Sequence, residues 1–137
     1  LDAMMAASTM AGMAFGNSDV ACVHSISEAL GGYYDIPHGV ANAMMLAPVS
    51  RISVPGAVEK YADVARALGL DGAGLSEEEL AYAGVEQMQK LADALEIPHF
   101  SELDMVKPKD FPRLAKTAAN ASETQDNPVI EMRGKYE

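Results

Sequence analysis

The sequence predicts an all-α fold, a helical bundle-like domain, and three observations carry that prediction. Apolar residues recur at helical spacing through most of the chain. Cap and stop signals bracket those runs, and no stretch of four or more residues alternates as a half-buried strand does. The composition agrees: 49% of residues are hydrophobic, only 6% are aromatic and nine are Met. Such an interior is built from Ala, Leu, Val and Met, which suits adaptable helix packing. At 137 residues the chain has the size of one domain, long enough to bury about two-thirds of its unfolded surface. A single all-α domain over residues 1–137 is therefore expected.

The elements follow in order. From Leu1 to about Phe15, Met and Ala dominate and no charge follows Asp2, as expected of a helix buried on most sides or docked on missing structure. Gly16-Asn17-Ser18-Asp19 reads as a turn in which Ser18 or Asp19 caps a short helix running to about Leu30, where Gly31-Gly32 ends it. Pro37 suits the first turn of the next helix, with Val40, Ala41, Met44, Met45 and Val49 as its apolar stripe; Pro48 should kink or shorten it. Val58, Tyr61, Ala62, Ala65 and Leu68 mark another helix, closed by Gly69. Ser76-x-x-Glu79 is a capping box ahead of a long helix whose Leu80, Gly84, Met88, Leu91 and Leu95 share one face up to Pro98. Residues 110–121 form a last helix, with Asp110 as its cap and Leu114, Ala115, Ala118 and Ala119 inside. The polar tail after Ser122 is expected to be irregular.

Several function classes are disfavoured. A formal charge of −10 repels phosphate backbones and anionic headgroups, so neither nucleic acid nor membrane is an expected partner. No segment is apolar enough to span a bilayer. The one cysteine, Cys22, cannot form an intramolecular disulfide, which favours a cytoplasmic setting. Neither G-x-G-x-x-G nor another glycine-rich phosphate loop is present, so a dinucleotide would need a cradle outside this sequence. The chain starts with Leu1 inside an amphipathic run, which suggests a fragment truncated upstream.

His24 and His38 carry the chemistry. One lies inside a helix, the other opens the next, and the turn formers between them let residues fourteen apart converge. Neutral imidazole is the commonest protein metal ligand, and the first turn of a helix disfavours imidazolium at His38. A core hydrogen bond for His24 and a capping or surface role for His38 are the alternatives. Glu28 is four residues after His24 and shares its helical face, where it could orient the imidazole, approach a metal, line a cavity or simply face solvent. Cys22 is about 200° around the helix from His24 and reads as a buried thiol. Asp19 and Asp35 read as turn and cap residues, Tyr33 and Tyr34 as packing or cavity-wall residues, and His99 as a solvent-facing loop residue.

His24, Gly31-Gly32, Asp35, Pro37-His38-Gly39 and Val40-Ala41-Asn42-Ala43, preceded by Ala11-Gly12-Met13-Ala14-Phe15, resemble the signature of the iron-containing alcohol dehydrogenase family. The likeness is strong over roughly residues 8 to 50. It is looser beyond, through Lys60-Tyr61-Ala62, Leu95-Glu96-Ile97-Pro98 and Asn127-Pro128. It implies the C-terminal helical part of a dehydroquinate synthase-like fold, without the N-terminal α/β nucleotide-binding domain. It further implies His24 and His38 as metal ligands, Fe²⁺ or alternatively Zn²⁺ as the ion, and NAD or NADP as cofactor of the full-length enzyme. Small alcohols and aldehydes are the implied substrates, an aspartate and a third histidine from an earlier helix complete the ligand set, and a homo-oligomer is compatible. At Glu28 the sequence departs from the family, whose commoner residue there is a second histidine near the substrate, so Glu28 is a cavity residue of open role. Two rival readings remain: a stand-alone metal-dependent hydrolase or lyase using His24, Glu28 and His38, and a non-catalytic helical interaction module.

Overall fold

The computed structural model describes residues 1–129. Among these, α1 spans Asp2–Ser18, α2 Cys22–Tyr34, α3 His38–Ser53, α4 Val58–Ala67, α5 Glu77–Ala94 and α6 Phe111–Asn120, joined by short 3-10 turns and with no strand. The all-α prediction holds. The helices pack in two groups. One core cluster joins the end of α3 to α4 and α5 through Ala47, Val54, Ala62, Ala65, Leu80, Ala81 and Val85; the other joins α2, the start of α3 and α6 through Ala29, Leu30, Ile36, Ala41, Val106 and Leu114.

The α4–α5 pair is close because small residues meet there. A Cβ added at Gly84 would lie 2.7 Å from the Ala65 Cβ, so only glycine lets the two backbones approach this far. Ser76 and Glu79 form the expected capping box: the Glu79 N–H donates to Ser76 Oγ (3.2 Å) and the Ser76 N–H to Glu79 Oε2 (2.7 Å). The Glu79 carboxyl is held below its usual pKa by the Ser76 backbone hydrogen bond first and by the Ser76 hydroxyl second.

Several expectations are corrected. No residue of α1 is buried among the described residues, so it is not buried on most sides within them; the alternative, docking on structure outside them, is not contradicted. Neither Ser18 nor Asp19 caps α2: α1 runs on to Ser18, Asp19 turns the chain at φ 62° with its Oδ1 accepting the Val20 N–H, and Ala21 is the α2 N-cap. Gly31-Gly32 does not end α2. Two further residues, Tyr33 and Tyr34, stay helical, and the left-handed stop falls to Asp35 (φ 56°, ψ 31°), whose N–H bonds the Gly31 carbonyl at 2.9 Å.

Pro48 does not shorten α3. It removes one backbone donor, while its neighbours Ala47, Val49 and Ser50 are buried and keep the helix running to Ser53. Leu91 on α5 and Leu95 at its C-cap are exposed, because the seam drifts along Ala81, Val85, Met88 and Ala92. Leu68 is likewise exposed. The Asp110 carboxylate accepts from the Lys107 N–H at 3.2 Å and so caps the turn before α6 rather than α6 itself. After Ser122 the chain is not irregular throughout: Ser122–Asp126 is 3-10 helical, with Thr124 and Asn127 buried. Residues 130–137 of that predicted tail lie outside the described residues.

Candidate metal centre

Helix α2 has two faces. Cys22, Ile26 and Leu30, at successive i+4 positions, line a cavity of ≈ 300 Å³ walled also by Met45, Phe111 and Leu114. This cavity is apolar apart from Cys22 and Thr124 and offers no charged group for chemistry. Cys22 is buried, as expected, and burial pushes its thiol pKa up, with the Thr124 hydrogen bond acting in the opposite sense. His24 and Glu28 lie on the other side of the helix.

The imidazoles of His24 and His38 meet at that side, with ring centroids 5.3 Å apart and planes tilted by 53°. His24 is half-buried and His38 exposed. This convergence follows from the turn: the left-handed Asp35 and the extended Pro37 (φ −55°, ψ 129°) start α3 so that its first residue returns beside the first turn of α2. The spacing lies just beyond the range of two rings on one shared ion. With metal–nitrogen bonds of about 2.0–2.1 Å the ion sits about 3.2 Å from each ring centre, so rings held at octahedral to tetrahedral angles are about 4.5 to 5.2 Å apart.

Two donors do not close a site, since metals of this class take at least three from protein. Among the described residues no three His, Cys, Asp or Glu side chains are gathered as a metal ion would require. Glu28 is exposed, and among the described residues it is not gathered with the two rings into a ligand triad. His99 is exposed in its turn, 3.4 Å from Asp93. Tyr33 packs: its hydroxyl is 3.1 Å from Thr117 and the Arg113 guanidinium lies 4.0 Å from its ring centre.

Two features escaped the sequence reading. The Asn42 amide is 2.8 Å from His38 Nε2, one turn along α3; the i+4 spacing within the motif is a signal that could have revealed it. Beneath α2 and α3 lies a buried polar seam. Thr124 Oγ1 donates to the Ala118 carbonyl (2.6 Å) and sits 2.8 Å from Ser25 Oγ, and the Asn127 amide bonds Ser53 Oγ at 3.1 Å. These pairs are 99 and 74 residues apart, and nothing local announces them.

The model of the C-terminal region of the Fe-containing alcohol dehydrogenase family matches residues 1–135. The chain belongs to this family. It is 40% identical over 126 residues to the 1,3-propanediol dehydrogenase of Citrobacter freundii, covering 91% of this chain and 32% of that protein. It is 34% identical over 130 residues to the NAD-dependent methanol dehydrogenase of Bacillus methanolicus, covering 94% and 34%. A crystal structure of 1,3-propanediol oxidoreductase superposes with a TM-score of 0.84 at 37% identity, covering 92% of this chain and 34% of that one. The chain thus spans about a third of the length of these relatives. These relatives are named as dehydrogenases or oxidoreductases, not as hydrolases or interaction modules.

Proposed function

We propose that this chain is the metal-binding, C-terminal helical part of a larger iron-dependent, NAD(P)-linked alcohol dehydrogenase that interconverts alcohols with aldehydes or ketones. The observation that carries the reading is the meeting of His24 and His38 at a separation close to that of two rings sharing one ion. Both would hold Fe²⁺, or alternatively Zn²⁺, with the remaining donors from outside residues 1–137. When bound, the divalent ion supplies Lewis acidity that lowers the pKa of the substrate hydroxyl, so that hydride can pass to the nicotinamide.

The chain's own residues do the holding. Asp35 and Pro37 set the turn that brings the rings together, the buried faces of α2 and α3 fix their backbones, and Asn42 is placed to orient the His38 ring. NAD or NADP would bind outside this chain, in a region preceding it in the complete enzyme, because no phosphate cradle is present in the sequence. The NAD named for the B. methanolicus relative supports that cofactor, and the 1,3-propanediol relative supports small alcohols as substrates. We assign a cytoplasmic setting on the lone, buried cysteine; among the described residues no helix is long and apolar enough to cross a membrane.

The test compares the complete enzyme with residues 1–137 alone, each supplied with Fe²⁺, NAD and 1,3-propanediol. Turnover is expected from the complete enzyme only, and to disappear with its metal in His38→Ala. Turnover by the 137 residues alone, or a His38→Ala enzyme with full metal and near-normal rate, overturns the reading.

A further inference from the structure

We propose that Glu28 makes this site selective for alcohols that carry a positive charge, such as primary amino alcohols and their quaternary ammonium counterparts; this rests on the metal-centre reading above. Glu28 lies one turn from His24 on the same face of α2, the face that carries the imidazole pair. It is exposed, and no ion pair among the described residues engages it or the neighbouring Asp35.

The charge pattern around it is one-sided. All ten Lys and Arg residues fall at or after Arg51, so α2 and the first thirteen residues of α3 carry no basic side chain. The formal charges between Cys22 and Ser50 are Glu28 and Asp35 alone. A divalent ion at the rings would repel an ammonium group and attract a carboxylate. Glu28 reverses that bias for the distal end of a substrate whose hydroxyl is directed at the ion, and no lysine or arginine of α2, or of α3 before Arg51, is available to bind an anionic substrate. The carboxylate accepts hydrogen bonds from a primary ammonium and attracts a quaternary one through charge alone.

The experiment uses the complete, metal-loaded enzyme and three alcohols of one chain length: 3-amino-1-propanol, 1,3-propanediol and 3-hydroxypropanoate. Two readouts are taken at pH 7.5, kcat/KM for each alcohol and the Kd of each without dinucleotide, by calorimetry. The amino alcohol should lead in both, and Glu28→Gln should lower its advantage over the diol by about tenfold, equivalent to about 1.4 kcal/mol. Glu28→Lys should move the preference toward 3-hydroxypropanoate. An unchanged amino-to-diol ratio in both variants overturns the proposal, as does loss of metal from Glu28→Gln, which would make the residue a ligand. Failure of the metal-centre reading is distinguishable, because it appears as wild-type enzyme without bound metal, while the calorimetric ratio still reports on Glu28.

Discussion

The α4–α5 hairpin and the α2–α3 pair are both helix pairs of similar size, yet they are held by different physics. The hairpin is assembled from local signals and small-residue contact: a capping box at Ser76, the Gly84–Ala65 approach, and Arg66 bonded to Asp63 and Glu77. The α2–α3 pair has no side-chain cap at either N-terminus. It presents two imidazoles at its open edge and is anchored from beneath by Thr124 and Asn127, far along the chain. One pair is specified where it forms. The other is specified from a distance.

The largest effect separates function from folding in the α2–α3 pair. His38→Ala in the complete enzyme should weaken metal retention by more than the roughly 10 to 100-fold typical of losing an outer-shell partner. Folding should change little, since His38 is exposed and α3 is held by the buried Ala41 and Met44. Metal content, measured beside the thermal midpoint of the metal-free protein, checks both halves. A large drop in that midpoint would mean that the ring supports the fold.

In the hairpin the largest effect is steric. Gly84→Val places a branched Cβ where even a bare Cβ would be 2.7 Å from that of Ala65. Overpacking of this kind costs about 1 to 3 kcal/mol, seen as a lower denaturant midpoint. Wild-type stability in Gly84→Val would show that α4 and α5 can move apart without loss, and the close approach would then not matter.

The difference between the pairs also explains what was legible in the sequence. The hairpin was readable because its signals are short-range: Ser76-x-x-Glu79 and the apolar spacing of α4 require only a helical period. The two histidines were readable as a pair because Asp35 and Pro37 lie between them in sequence. The extension of α2 past Gly31-Gly32 was not, since glycine lowers helix propensity and the stop is made instead by a left-handed Asp35. The persistence of α3 through Pro48 was hidden for the same reason. Ser25 and Ser53 look like ordinary helix-surface serines until Thr124 and Asn127 arrive beside them.

The distant anchor can be tested directly. Thr124→Val keeps the volume but removes the hydroxyl, leaving the buried Ser25 Oγ and Ala118 carbonyl without that partner. A loss of about 1 to 2 kcal/mol is expected. The loss should come with faster hydrogen exchange in α2 and little change in α5. Equal effects on both helices would show that the two core clusters unfold as one unit.

The smallest effect lies at the start of α5, and it carries a pH signature. Ser76→Ala removes the side-chain acceptor for the Glu79 N–H and should cost about 1 kcal/mol. The partner carboxyl gives the sign. Because its pKa is lowered in the folded state, by the Ser76 backbone N–H foremost, its contribution is fully present above the unfolded value near 4.5 and is lost as pH falls through the folded value. Glu79→Gln retains an oxygen for the Ser76 N–H but does not titrate, so the stability difference between wild type and Glu79→Gln should shrink from pH 6 to pH 3. In Ser76→Ala the backbone bond survives and part of that slope should remain. Paired denaturant titrations at the two pH values measure it, and a difference independent of pH would mean that Glu79 gains nothing from ionisation at the cap.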